Sequence, residues 1–186
     1  MAIFNVAGKP LPFRAKLPKW DYVGYREIKA GLHKKSRKSY VIDDSQYLIA
    51  FEFFDHAKET GYKKFTDMAF NFYDLIKFIM TNTPEDTIVY FMHHTEIGND
   101  GKLKAKTSGK MLDDQLTVEG LFSIVLYCTV EGTNHLFITN SDGTNPAKSP
   151  MDMFDIKIDN DLKLVDTTIR EYYGWNTESE AVNEKA

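Results

Sequence analysis

An apolar, β-branched run that stops at two adjacent aspartates, Tyr40-Val41-Ile42-Asp43-Asp44, is the segment of this 186-residue chain best suited to chemistry. A strand that delivers carboxylates at its carboxyl end can hold Mg²⁺ and poise a water against a nucleoside triphosphate. In that reading Asp43 takes the metal, directly or through water, and Asp44 orients the water. In the plainer reading Asp44 caps the helix that follows and Asp43 is a solvated strand end, because paired carboxylates resist burial without a cation, donors or solvent. The partner motif of such a site, G-x-x-x-x-G-K-[ST], does not occur in the sequence. Gly8-Lys9-Pro10 and Gly109-Lys110-Met111 each contain Gly-Lys, but neither has the earlier glycine or the following hydroxyl. Without that loop's nest of backbone N–H groups, a carboxylate pair holds Mg·ATP poorly.

His93-His94 follow a second apolar run, Thr87-Ile88-Val89-Tyr90-Phe91-Met92. An imidazole at that strand end can sense a phosphate or hydrogen-bond an attacking water, or one of the pair can simply pack there. No Cys/His cluster with zinc spacing accompanies them. No G-x-S-x-G elbow supports a Ser-His-Asp hydrolase either. Lys102, Lys104 and Lys106 alternate, so on a strand they share one face. Such a basic ridge suits a phosphate backbone and equally guards an exposed edge against aggregation.

The charge is unevenly spread. Residues 9–38 hold ten Lys/Arg against Asp21 and Glu27, a local net of +8, and the remainder carries −12 to give −4 overall. A basic region on an acidic body is the footprint expected for a polyanion, and also fits a solvated surface with no partner. With 42% hydrophobic and 13% aromatic residues the chain is expected to fold as a globular domain. Its one cysteine, Cys128, excludes an internal disulfide and fits a reducing cytoplasm; its apolar surroundings predict a buried core residue. No segment approaches the roughly 20 apolar residues of a membrane span, so a cytoplasmic protein without a membrane partner is expected.

The elements that would position these groups follow from local pattern. Strands are expected at 2–6, 39–43, 87–92, 121–130 and 135–139, and Asn99-Asp100-Gly101 marks a hairpin turn. Glycine and prolines at 8, 10, 12 and 18 predict a loop, with a short helix within 22–32. Helices are expected at 46–60, with Tyr47, Leu48, Phe51 and Phe54 buried, and at 66–80, capped by Thr66. A last helix is expected at 161–173, before a polar, disordered tail at 176–186. This order predicts an α/β fold with a mixed sheet, in which sites lie at the carboxyl ends of strands. Asp43/Asp44 and His93/His94 fall at two such ends.

Five ordered phrases carry a resemblance: Gly-Lys-Pro-Leu-Pro-Phe-Arg at 8–14, the 41–48 segment, Gly-Tyr-Lys-Lys-Phe-Thr-Asp at 61–67, residues 107–122, and Ser-Asp-Gly-Thr-Asn-Pro-Ala-Lys-Ser-Pro-Met at 141–151. Together they resemble the phage-encoded RecA-like P-loop ATPases of DNA recombination and single-strand annealing, often described as ATP-binding or AAA-domain proteins. The resemblance implies a RecA-like core over residues 1–175 with a mostly parallel sheet, lacking the family's first strand and P-loop, and with a gap where that strand is lost. It implies ATP and Mg²⁺ as cofactors, single-stranded DNA as partner, and oligomerisation or a complementing P-loop fragment. Asp43, with Asp44, matches the metal-site aspartate, and His94 lies where the family's second sheet-end polar residue sits; Asp44 and His94 are the expected catalytic residues. Lys110 and Lys148 stand in the family's lysine-containing loops and would contact phosphate in a neighbouring subunit or DNA, and the Lys102, Lys104 and Lys106 ridge, read from its spacing, is the expected DNA-binding face. A chain without its own P-loop is not expected to hydrolyse ATP alone. The alternatives are an inactive interaction protein for a phage or host replication partner, or one half of a split ATPase.

Overall fold

A computed structural model describes residues 1–14, 16–107 and 117–175. The chain divides into two compact units, one spanning Met1–Phe122 and one from Ser123 onward. The first unit is built on β1 (Ala2–Asn5), β2 (Lys19–Asp21), β3 (Ser39–Asp43) and β4 (Ile88–Phe91), with α1 (Tyr25–His33), α2 (Gln46–Asp55) and α3 (Lys63–Asn82). The strands form one sheet in the order β2-β1-β3-β4, and every pairing is parallel. A short antiparallel hairpin, β5 (Thr95–Ile97) and β6 (Leu103–Ala105), extends from β4, and a 3₁₀ turn follows at Val118–Leu121.

β1 and β3 are buried along nearly their whole length, as parallel strands require. Phe4 and Ile42 are register partners and, with Ala2, Tyr40, Ile28, Leu32, Leu48 and Leu75, form one core between sheet and helices. Ile49, Met68, Phe72, Ile76 and Val118 form a second. Gly31 sets how closely α1 approaches the sheet, since a Cβ there would lie 2.6 Å from Phe4 Cε1. Gly31→Ala is therefore expected to destabilise by about 1–3 kcal/mol despite alanine's better helix propensity. Urea unfolding measures it, and a stabilised variant would show that α1 has room to move.

The parallel sheet bears out an α/β fold, and several local expectations are corrected. β2 lies where the prolines predicted only loop. α2 ends at Asp55, not at 60, and buries Leu48 and Ile49 while Phe51 and Phe54 are exposed. α2 is apolar on all sides, so periodicity could not select its inner face. α3 begins at Lys63 with Tyr62 at its N-cap, so Thr66 is interior. β1 pairs directly with β3 and β3 with β4, so no gap interrupts these four strands.

In the second unit β7 (Tyr127–Glu131), β8 (Asn134–Ile138) and β9 (Lys157–Asp159) form an antiparallel sheet, followed by α4 (Leu162–Tyr172). Asp161 caps α4 through its side chain, which accepts from the Lys163 N–H at 2.7 Å. The run 121–130 is not one strand, because Leu121 closes the 3₁₀ turn and β7 starts only at Tyr127. Cys128 is exposed, which corrects the buried position expected of it. It shares an exposed face of β7 with Val130, two residues on. Among the described residues no helix is long and apolar enough to cross a membrane.

Candidate functional site

The chain reverses sharply at the carboxyl ends of β1 and β3. After β3 the backbone of Asp44 takes a left-handed conformation, φ 56°, uncommon for a residue with a side chain. Ser45 then turns the chain into α2, and its N–H and hydroxyl both lie on the Met92 carbonyl, at 2.8 and 3.0 Å. These contacts join the end of β3 to the end of β4. After β1 the chain turns through Gly8, φ 66°, and the buried Asn5 amide donates to the Lys9 carbonyl at 2.7 Å. The same amide donates to Asp21 Oδ1 at 2.6 Å.

These turns bring four side chains together. Lys9 forms an ion pair with Asp44, and His94 Nε2 lies 3.1 Å from the other oxygen of that carboxylate. The Tyr47 ring sits 5.5 Å under the Lys9 ammonium and meets the His94 ring edge-on at 6.2 Å. Burial pushes the Asp44 carboxyl up, but hydrogen bonds from Lys9 and His94 outweigh it and hold the group below the ordinary carboxylate value. Asp43 goes the other way: burial first, then the neighbouring Asp44 charge, raises it. Asp44 is thus a fixed anion that orients Lys9 and His94, and Asp43 is the carboxylate more ready to take a proton. Asp44 does not cap α2, whose N-cap is Ser45.

His93 has a separate role. Its Nε2 faces the Lys106 carbonyl at 2.7 Å, which can only accept, so Nε2 carries the proton and Nδ1 accepts at 2.8 Å from the Ser45 hydroxyl, whose single proton it shares with the Met92 carbonyl. The imidazole therefore ties the end of the β5–β6 hairpin to the sheet. Burial holds it below its ordinary value, against the Lys106 carbonyl and Glu119, which raise it. The unfolded chain takes up that proton first on acidification. The contribution to stability is therefore full above the unfolded value of about 6.5 and is lost as pH falls through the lower folded one, at no more than about 1.4 kcal/mol per pH unit. Urea unfolding between pH 8 and 5 should show a flatter profile for His93→Gln than for the native chain; superimposable profiles would refute this role.

The remaining expected site residues are dispersed. Lys104 lies in β6, 3.2 Å from Glu96 across the hairpin. Lys102 and Lys106 flank β6 and are exposed. Lys148 lies in the second unit, in an isolated antiparallel bridge with Val125. Lys110 and the 176–186 tail lie outside the described residues. Sequence reasoning passed over Lys9, seen only as half of a failed phosphate loop, and Asn5, Ser45 and Tyr47. The signal for Lys9 was a glycine and a lysine just past the end of a strand.

The arrangement as it stands does not fit Mg²⁺. Asp44 is already compensated by Lys9 and His94, and among the described residues no group of three His, Cys, Asp or Glu side chains is placed to hold a metal ion. Comparison with protein-family models, curated proteins and solved structures finds no match to the chain.

Proposed function

We propose that this chain is a single-stranded DNA-binding component of phage recombination or strand annealing, with a RecA-like core descended from P-loop ATPases. The observation that carries the reading is the meeting of Asp44 and His94 at the carboxyl ends of adjacent parallel strands, β3 and β4, within the phrases that resemble that family. Ligands of open α/β sheets bind at such strand ends. In this reading the carboxylates are the metal-side half of an ancestral ATP site. Lys9 now occupies the cation position beside Asp44, and Asp43 is left for a cation that a supplied phosphate loop would bring. ATP and Mg²⁺ then bind only where another polypeptide supplies a P-loop, and DNA binding does not depend on them.

Mobility shifts of the purified chain with a single-stranded oligonucleotide at two salt concentrations test the reading, alongside Mg-dependent ATP turnover. Binding that weakens with salt, with no turnover above background, is expected. Absence of binding at low salt defeats the proposal and favours an interaction protein. Turnover that Asp43→Asn abolishes defeats the assignment of an inactive site.

A further inference from the structure

The outer edge of the parallel sheet carries features that neither the core nor the strand-end site uses. Among the described residues β2 is the terminal strand, paired only with β1. Trp20 in β2 and Tyr22 just beyond it are 40% and 78% exposed, and Phe13 in the preceding loop is 56% exposed. The Trp20 indole is anchored from behind by Phe4, ring centroids 5.2 Å apart and nearly parallel, and Phe4 stacks in turn on Tyr40 at 5.6 Å. The edge therefore presents an aromatic group held rigidly by the core.

Tyr22 is odder still. It adopts a left-handed backbone, φ 57°, costing about 1–2 kcal/mol for a residue with a side chain, yet it buries little. Its ring lies against Gly8, where any Cβ would fall 2.2 Å from Tyr22 Cε1. Stability alone favours glycine at position 22 and does not account for an exposed ring there.

The cations of the basic segment fall into two sets. Lys9, Lys19, Arg26, Lys29 and Lys38 of the basic segment are engaged by carboxylates. Arg14, Lys16, Lys34, Lys35 and Arg37 are exposed, and no ion pair holds them among the described residues. Arg14 and Lys16 precede β2, and the other three lie between α1 and β3. Both groups therefore stand at the amino end of one parallel sheet, two strands or about 10 Å apart. Lys35 is also left-handed, φ 49°, at a helix end where glycine is the easy choice. Two left-handed positions thus carry an aromatic, at the carboxyl end of β2, and a cation, before the amino end of β3.

Exposed rings and exposed cations on one sheet match the chemistry of single-stranded nucleic acid, whose bases stack on aromatics while its phosphates follow positive charge. We propose that the β2 edge is the single-stranded DNA surface of this chain, with bases on Trp20 and Tyr22 and the phosphate backbone running along Arg14, Lys16 and the Lys34–Arg37 turn. The inference rests on the DNA-binding reading above and says where on the chain that binding occurs. The Lys102–Lys106 ridge is the weaker candidate, because Glu96 engages Lys104 and the exposed apolar residue of that hairpin is Ile97, which offers no ring to a base.

The chain has two tryptophans, Trp20 and Trp175, so Trp175→Phe leaves Trp20 as sole reporter. Titration with oligothymidylate at low salt is expected to quench it, with affinity falling about 100-fold between 50 and 200 mM salt for about five phosphate contacts. Tyr22→Gly removes the ring and relieves the backbone strain; with urea unfolding confirming a folded variant, it should weaken binding about 5- to 150-fold. Arg14→Glu with Lys16→Glu should flatten the salt dependence. Binding that leaves Trp20 unquenched, is indifferent to Tyr22→Gly and is lost on Lys102→Glu with Lys106→Glu would overturn this surface while leaving the DNA-binding reading intact. Absence of any binding would overturn both.

Discussion

Asn5→Asp is expected to lower the unfolding free energy by about 3–5 kcal/mol, the cost of a buried charge without a partner. Asn5 is completely buried at the end of β1, and its Nδ2 makes two short bonds, to the Lys9 carbonyl and to Asp21 Oδ1. Both partners are acceptors. An aspartate of identical shape would set an oxygen against each, beside the Asp21 carboxylate and in register with Asp43. It would have to take up a proton or open the turn. Among the described residues the Asn5 Oδ1 has no hydrogen-bond partner of its own, so none of them offers a donor to compensate the new charge. Because Asn5 also fixes the Lys9 carbonyl, the variant should release the 6–9 turn and loosen the ion pair of Lys9 with Asp44. Urea unfolding at pH 7 measures the loss, and Asn5→Ser separates loss of the amide from gain of charge. A cost below about 1 kcal/mol for Asn5→Asp would mean that water reaches this turn.

Phe72→Ala should cost a similar amount, about 3–5 kcal/mol, for a different reason. Phe72 is wholly buried in the middle of α3. Its ring meets Phe91 of β4 edge-on at 6.4 Å and lies 6.0 Å from the His93 ring. Truncation removes the transfer free energy of the ring and leaves a cavity between helix and sheet. It also strips the packing that holds the His93 imidazole, so the variant should lose part of the acid sensitivity assigned to that residue. Phe72→Leu, which keeps most of the volume, should recover more than half of the stability. A fall of less than about 1 kcal/mol for Phe72→Ala would show that the two cores close over the gap.

Much of the strand-end site was legible in the chain, and for a local reason. A β-branched run ending in Asp-Asp and an apolar run ending in His-His can each be read without knowing their neighbours. That Asp44 and His94 touch depends on β3 and β4 being adjacent in the sheet. The same holds for Lys9, whose backbone turn is local but whose partner lies 35 positions away. Lys102, Lys104 and Lys106 show the opposite case. Their alternation was plain, but the cross-strand pairing of Lys104 with Glu96 follows from hairpin register, which a spacing rule does not contain.

Local pattern was sufficient for the strands at 39–43 and 87–92, the 99–101 hairpin turn and the last helix. In each, apolar period, turn chemistry and flanking polar residues agree, and no long-range contact has to arbitrate. It was insufficient for β2, a three-residue edge strand whose only reason to be extended is the hydrogen bonding offered by β1. It failed for the inner face of α2, where every side of the helix is apolar and packing against the sheet, α1 and α3 selects Leu48 and Ile49. It failed again for Cys128, since an apolar run does not say which of its residues a sheet turns outward. The chemistry of this chain lies in residues that short-range order already brings to strand ends. Their company, carboxylate with lysine and imidazole, is decided by which strands lie side by side, because ionic contacts depend on distance in space and not on distance along the chain.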